Sequence, residues 1–295
     1  MSSFFVDTED TIYVLSQAPV ALIISRYGQT MRVNIPGSFI QPNAMFVASD
    51  GNIYIDDGQS QQHVQQWSNY SMMSSVMSVS DSCFSLFIDK NNSLYCSVAN
   101  ENIVLTISLN DYSNTTRTAV GNGTCQLASN TLCEPHGIFV TDSFVLYVAD
   151  TENYRVLAFR SGQSQGITVA GNGSLSNIDI GKPISVYVDI LGYLYVVEQL
   201  YHKIIRIESN VPRCIAGCSG SSGSQPDQLS DPYQMAFDSS GNLLVLDTFN
   251  QRVQNFTLAT NSCCKFHASF IFLFVCIFFS LLQSAGIMLK CYMAK

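Results

Sequence analysis

The chain has 295 residues, only 12% of them charged, and a formal net charge of −8. So acidic a chain, so poor in Lys and Arg, is a weak electrostatic partner for nucleic acid, whose affinity comes largely from phosphate contacts; a nucleic-acid-binding role is set aside. The length leaves ample area for a buried core, and no motif in it asks for a cofactor.

Taken in chain order, one short unit keeps returning. The first copy begins at Met1. No positively charged, apolar leader precedes it, so no signal peptide is expected there. Its second strand centres on Ile12, Tyr13 and Val14, and Ala21–Ile24 falls in its third strand. The trio returns as Ile53-Tyr54-Ile55, Leu94-Tyr95-Cys96, Leu146-Tyr147-Val148, Leu194-Tyr195-Val196 and Leu243-Leu244-Val245, at successive spacings of 41, 41, 52, 48 and 49. A period in this range marks a propeller blade or another repeat array. The slot held by Pro135 in the fourth copy is held by Pro42, Pro183 and Pro232 in others, and by Met1 and Cys83 in the remaining two.

The fourth copy, PHGIFVTDSFVLYVADTENYRVLAF from Pro135 to Phe159, shows what each piece does. Gly137–Val140 is a short β-prone run, and Thr141, Asp142 and Ser143 form a polar turn. Val145–Ala149 is a second run, closed by Asp150, Thr151, Glu152 and Asn153. Arg155–Phe159 is a third, with apolar residues at alternate positions. Short strands broken by turn residues, without a helical period, predict an antiparallel meander. The third run is echoed at Asn250–Phe256 and more loosely at Tyr201–Ile207.

PHGIFV…LYVADTENYRVLAF and DPYQMAFDSSGNLLVLDTFNQRVQNF resemble NHL repeats. The resemblance spans residues 1–259 and implies an all-β, six-bladed NHL-type β-propeller. Its blades lie near 1–41, 42–82, 83–134, 135–182, 183–231 and 232–259. A single Trp, Trp67, and the lack of a repeated Gly-Gly pair fit the competing repeat families less well. Such rings usually close by letting one chain end complete the blade of the other. Here the sixth unit has three clear strands ending near Thr257. The expectation is therefore either a short last blade with an open edge, a liability that most proteins cover, or a strand supplied from upstream of Met1.

Turn-forming loops join the units at 121–135, 170–183 and 216–232. Each runs from Ala-Gly or Val-Gly through a polar spacer to the Pro of the next unit. In a propeller these connections gather on one face, and that face is expected to bind. Ten cysteines are many for a cytosolic protein, and none has zinc spacing. Cys125 with Cys133, and Cys214 with Cys218, are candidate local disulfides, whereas Cys96 reads as a small buried hydrophobe in a second strand. Six Asn-x-Ser/Thr sequons stand at Asn69, Asn91, Asn114, Asn122, Asn172 and Asn255. The first five are glycosylation candidates; Asn255 falls inside a third strand, where access is expected to be restricted.

Composition changes at Lys265. After a short linker at 260–265, Phe266–Leu289 carries no formal charge over twenty-four residues and reads as one C-terminal transmembrane α-helix, followed by a short tail at 290–295. At 1.5 Å per residue such a run crosses a hydrocarbon core of about 30 Å. Lys290 and Lys295 lie on one side of it and Lys265 and Arg252 on the other, so the charge rule barely orients it. The cysteines and sequons favour a propeller outside the cell or in a lumen. Without a leader the same chain would be a tail-anchored intracellular adaptor.

The resemblance also raises a catalytic alternative, because an amidating lyase with this kind of propeller holds a zinc on channel histidines. The four histidines here, His63, His136, His202 and His267, occupy unlike repeat positions, so no metal and no catalytic residues are assigned. His202 reads as a surface residue. Asp7, Asp89, Asp189 and Asp238 fall at first-to-second strand turns. Asp150 and Asp247 fall after second strands beside Asn153 and Asn250, where such side chains stabilise turns. Arg155 and Arg252 are expected to pair with blade-turn carboxylates. The functional expectation is a membrane-anchored, non-catalytic scaffold that binds a protein or glycan through one loop face; a hydrolase or lyase with a metal in the central channel is the rival.

Overall fold

The computed structural model describes residues 2–257 apart from 18–19, 36–38, 59–61, 69–71, 112–114 and 175–177. These residues belong to one compact unit, Met1–Leu258. The expected transmembrane segment at 266–289 lies outside the described residues; among those described, no helix is long and apolar enough to cross a membrane.

The strands fall into six antiparallel sheets. The first blade holds β1 (Ser3–Val6), β2 (Ile12–Gln17), β3 (Val20–Arg26) and β4 (Gln29–Asn34). The second holds β5 (Met45–Val47), β6 (Ile53–Asp56), β7 (His63–Ser68) and β8 (Met72–Ser78). The third holds β9 (Ser85–Ile88), β10 (Ser93–Val98), β11 (Ile103–Ser108) and β12 (Arg117–Gly121). The fourth holds β13 (Pro135–Val140), β14 (Leu146–Asp150), β15 (Arg155–Phe159) and β16 (Ile167–Gly171). The fifth holds β17 (Pro183–Val188), β18 (Leu194–Glu198), β19 (Lys203–Glu208) and β20 (Val211–Ala216). The sixth has three strands among the described residues, β21 (Pro232–Phe237), β22 (Leu243–Asp247) and β23 (Arg252–Phe256). The inner strands β1, β5, β9, β13, β17 and β21 neighbour one another in that order, and β21 returns to β1, so the blades form a closed wheel.

The two flanks of each blade are apolar, as a strand must be when a sheet packs on both sides. β14, β18 and β22 are buried along nearly their whole length. The clusters formed by these side chains join neighbouring blades, for example Val148 and Leu157 of the fourth with Val104 and Val120 of the third. Each fully buried Val, Leu or Ile contributes roughly 1.5–3 kcal/mol.

The wheel closes without strand exchange among the described residues. Instead Gln234 Oε1 accepts hydrogen bonds from Ser3 Oγ at 3.1 Å and from the Phe4 N–H at 3.0 Å. Asp10 accepts from the Ser239 N–H at 2.7 Å and Ser239 Oγ at 2.6 Å. Phe4 and Val14 pack against Leu244 and Leu246 behind them.

The inner strands carry a feature the repeat template did not flag. Phe5, Phe46, Phe87, Phe139 and Tyr187 stand directly opposite Tyr13, Tyr54, Tyr95, Tyr147 and Tyr195 in their blades. Their rings follow one another around the hub at 5.0, 5.4, 5.1 and 4.9 Å, each nearly edge-on to the next. That geometry sets a positive ring edge against a negative ring face. The sixth blade breaks the pattern. Ala236 faces Leu244 there, and Phe237, one residue on, reaches back to Tyr187 at 5.1 Å and Tyr195 at 4.9 Å.

Candidate interaction faces

Strand direction sorts the turns. The inter-blade loops and the second-to-third strand turns share one face, called here the upper; the first-to-second and third-to-fourth turns share the lower. Each face is held by its own repeated side-chain device.

On the lower face an Asp receives two backbone N–H groups and a tyrosine hydroxyl. Asp189 Oδ1 accepts from Leu191 and Tyr193, both at 2.9 Å, and its Oδ2 from Tyr195 Oη at 3.1 Å. Asp7 does the same with Glu9, Thr11 and Tyr13, and Asp89 with Asn91, Ser93 and Tyr95. Asp238 holds Ser240 and Asn242 likewise, with the Asn242 amide taking the place of the missing tyrosine. Burial, reinforced by the adjacent carboxylate, pushes the Tyr95 and Tyr195 hydroxyls up to about 12, which keeps them donors. These acids are turn fasteners, as expected from the sequence.

On the upper face the acid after the second strand is a buried joint. Asp150 Oδ1 accepts the Cys133 N–H at 2.6 Å; its Oδ2 accepts Asn153 Nδ2 at 2.8 Å and Arg155 Nε at 2.6 Å. Arg155 then donates to the carbonyls of Ala128 at 2.7 Å and Thr131 at 3.1 Å, so one guanidinium ties the incoming loop to the blade. Asp247, Asn250 and Arg252 repeat this around Ser230, Ser224 and Gln228. The expected Arg–carboxylate pairing is therefore present in both blades. In the fifth blade Glu198 accepts the Gly181 N–H at 2.9 Å and lies 3.0 Å from Lys203 Nζ, a close ion contact rather than an aligned hydrogen bond. The Val-Gly and Ala-Gly pairs of the loops find their reason here. A Cβ on Gly171 would stand 2.1 Å from the Tyr154 carbonyl oxygen, and one on Gly217 2.2 Å from that of His202.

Two readings of single residues are corrected. Cys96 is not a free small hydrophobe: it forms a disulfide with Cys83, and both are fully buried. Cys83 stands where other blades carry Pro, so the covalent bond fixes the chain's entry into the third blade. The sequence signal was there, since Cys83 alone among the internal units replaced the Pro. His202 is not a plain surface residue either; its half-buried ring accepts the Asp231 N–H at Nδ1, 3.1 Å away. The expected disulfides Cys125–Cys133 and Cys214–Cys218 are both present.

Among the sequons, Asn91, Asn122, Asn172 and Asn255 are exposed, Asn255 despite its place in β23. Asn69 and Asn114 lie outside the described residues. His136 sits at the start of β13, its Nδ1 between the Glu134 carbonyl at 2.9 Å and Thr151 Oγ1 at 3.0 Å. Burial lowers its pKa to about 4, so it is neutral at ordinary pH. His63 opens β7 on another blade, His202 lies on a third, and His267 is outside the described residues. Among the described residues no three His, Cys, Asp or Glu side chains gather as a metal site would need.

After these structural roles are assigned, surface features remain on both faces, the exposed Tyr27, Ile190 and Leu191 of the lower face among them. On the lower face a cavity of about 940 Å³ opens over blades one to three, floored by Phe5 and Phe46 and rimmed by Asp7, Glu9, Asp50 and Asp89. On the upper face large apolar side chains stand in water across blades four to six: Leu127 at 58% exposure, Tyr154 at 38%, Leu200 at 55%, Tyr201 at 42% and Phe249 at 75%.

The chain matches no protein-family model and no curated protein sequence. It is similar in structure to a streptogramin B lyase, with 12% identity and a TM-score of 0.60 over 88% of this chain and 83% of that one. The wheel is a six-bladed β-propeller. A protein of unknown function from Bacteroides thetaiotaomicron superposes with a TM-score of 0.66 at 14% identity, over 85% of this chain and 67% of its own. An auxiliary nutrient binding protein from Bacteroides ovatus does so with 0.66 at 12%, over 84% and 66%. At such identities the likeness is one of fold, and one propeller fold hosts unrelated activities.

Proposed function

We propose that this chain is an NHL-type propeller, held to a membrane by 266–289, that binds a protein partner through the upper, inter-blade loop face without catalysing a reaction on it. The observation that carries this reading is the group of exposed apolar side chains on that face, Leu127, Tyr154, Leu200, Tyr201 and Phe249. Tyr is enriched in binding hot spots, and large apolar residues grouped in water on a rigid scaffold mark an interaction site. The acids that could suggest chemistry are instead spent on turns and joints.

The three disulfides support a propeller on the oxidising side of the membrane, as do the exposed sequons at Asn91, Asn122 and Asn172. The uncharged run of Phe266–Leu289 supports the anchor. In a test of binding, the full chain carrying Leu200→Ser and Phe249→Ser is compared with the wild type for its cross-linked partners on intact cells. Loss of partners with an unchanged melting curve is expected; retention of all of them would overturn the loop-face reading. Digestion with a peptide N-glycosidase should lower the mass of the expressed chain, and no change would turn the reading toward a tail-anchored adaptor. A stoichiometric metal in the purified protein would turn it toward a channel hydrolase or lyase.

A further inference from the structure

The exposed apolar residues of blades four to six share the upper face, and the charges beside them are unbalanced. The Asn153 side chain bonds the Gln126 carbonyl, which sets Leu127 beside the turn that carries Tyr154. Glu152 of the same turn pairs with Lys182 of the next loop. Gly181, beside that lysine, lies directly under Tyr201, with Leu200 next to it. His202 then receives the Asp231 N–H, while the Thr248 and Phe249 N–H groups bond the carbonyls of Asp231 and Ser230. Hydrogen bonds and an ion pair thus link the turns that carry Leu127, Tyr154, Tyr201 and Phe249 in series over three blades; this row of apolar side chains with polar groups between them is the upper strip.

Around it stand the acids Glu134, Glu152, Asp179, Asp227 and Asp231, none of them fully buried. Against these the upper ends of blades four to six offer Lys182, Lys203, Arg155 and Arg252, of which Arg155 and Arg252 are held by the buried Asp150 and Asp247 and leave two lysines. Both are committed: Lys182 to Glu152, and Lys203 to the buried Glu198 and the Tyr201 ring, 5.0 Å from its centroid. A partner that lays only apolar groups on the strip would bring these carboxylates near a dry contact with nothing to balance them. One that also brings cations meets complementary charge at the rim, which sets specificity and association rate. Arg suits such a place best, since its guanidinium can lie on an aromatic ring and reach a carboxylate in the same pose.

We infer that the upper strip of blades four to six docks a basic protein segment, one whose apolar or aromatic anchors alternate with Arg or Lys. This deepens the proposed loop-face binding and rests on it.

The test places a photoreactive benzoylphenylalanine at Phe249, at Leu200 and, as a lower-face control, at fully exposed Ile190, in the full chain expressed in cells. After irradiation the cross-linked peptide of the partner is sequenced. Positions 249 and 200 are expected to react with one Arg/Lys-rich segment and position 190 not to. The double variant Asp179→Lys/Asp227→Lys should cut that yield about tenfold at physiological salt, since rim charges act mainly on association. Cross-links from 249 and 200 to an acidic or uncharged segment, to lipid or to a second copy of this chain would overturn the basic-segment proposal while leaving an upper-face contact standing. Cross-links from 190 alone, or from no position, would overturn both it and the loop-face reading.

Discussion

The fourth blade and the third solve the same problem with different chemistry. Each must receive a loop from the blade before it and start an inner strand at a fixed place. The fourth does so with a buried carboxylate, an amide and a guanidinium: Asp150, Asn153 and Arg155 gather the backbone of residues 126–133. The third has Val98 where the fourth has Asp150; its half-buried Asp81 ties Ser82 to Asn100, and no buried acid of its own organises its entry. It uses a covalent bond instead, Cys83 to Cys96, and borrows a carboxylate from the second blade, since Asp56 Oδ1 accepts the Cys83 N–H at 3.1 Å. The polar clamp works in any redox state but buries charge. The disulfide buries no charge but depends on an oxidising compartment. A repeat protein can therefore change the lock while keeping the joint.

Arg155→Met should show the largest effect. It leaves Asp150 as a buried carboxylate with no cation, and breaking such a pair costs about 3–5 kcal/mol. The check is the denaturant midpoint of the purified chain, with an unchanged m-value. A loss below 1 kcal/mol, by order of magnitude, would mean that the clamp is not what seats the fourth blade. Removing the third blade's lock with Cys83→Ala/Cys96→Ala should cost about 3 kcal/mol, the chain-entropy value for a loop of this size. Reductant should then destabilise the wild type more than this variant, and equal sensitivity would assign the redox dependence to the other two bridges.

The borrowed carboxylate gives a pH test. Burial raises the Asp56 pKa from 3.8 to about 7, with Asp57 beside it acting in the same direction and hydrogen bonds from Cys83, Asn43 and Gly58 opposing. The folded chain therefore holds this proton more tightly than the unfolded chain. Its contribution to stability is present below about pH 4, falls as pH rises to about 7, and is level above that. Asp56→Asn should flatten this slope, because the amide does not titrate, although its Nδ2 group can no longer accept a backbone N–H, as both oxygens of Asp56 do. Melting curves from pH 4 to 8 decide it; a steeper slope in the variant would refute it. The smallest effect is expected in the sixth blade. Arg252→Met removes the same clamp and leaves Asp247, as buried as Asp150, but the Arg252 side chain is 32% exposed against 4% for Arg155, so water can replace the guanidinium and the cost is roughly 1–2 kcal/mol.

The clamps and turn fasteners were legible before any coordinates because their parts are local. Asp150, Asn153 and Arg155 lie within six residues, and Asp189 bonds groups two, four and six positions away. The hub rings were equally periodic, eight residues before each tyrosine, yet an aromatic in a strand signals burial and not which neighbour it meets. Cys83–Cys96 was missed for a related reason. Cys96 fitted the apolar pattern of a second strand so well that its position explained it without a partner.

The linear chain alone determined the number of blades, the order of the first three strands in each and the turn acids, and it marked two of the three disulfides as candidates. Each of these follows from a period or from bonds spanning a few residues. Only the folded wheel decided how the first and last blades meet through Gln234 and Asp10, and that Phe237 reaches back to Tyr187 and Tyr195 of the fifth blade. It alone decided that Leu127, Tyr154, Tyr201 and Phe249, spread over more than a hundred positions, share one face. Those relations depend on the closing of a ring, and contacts made by closure join residues that no local pattern connects.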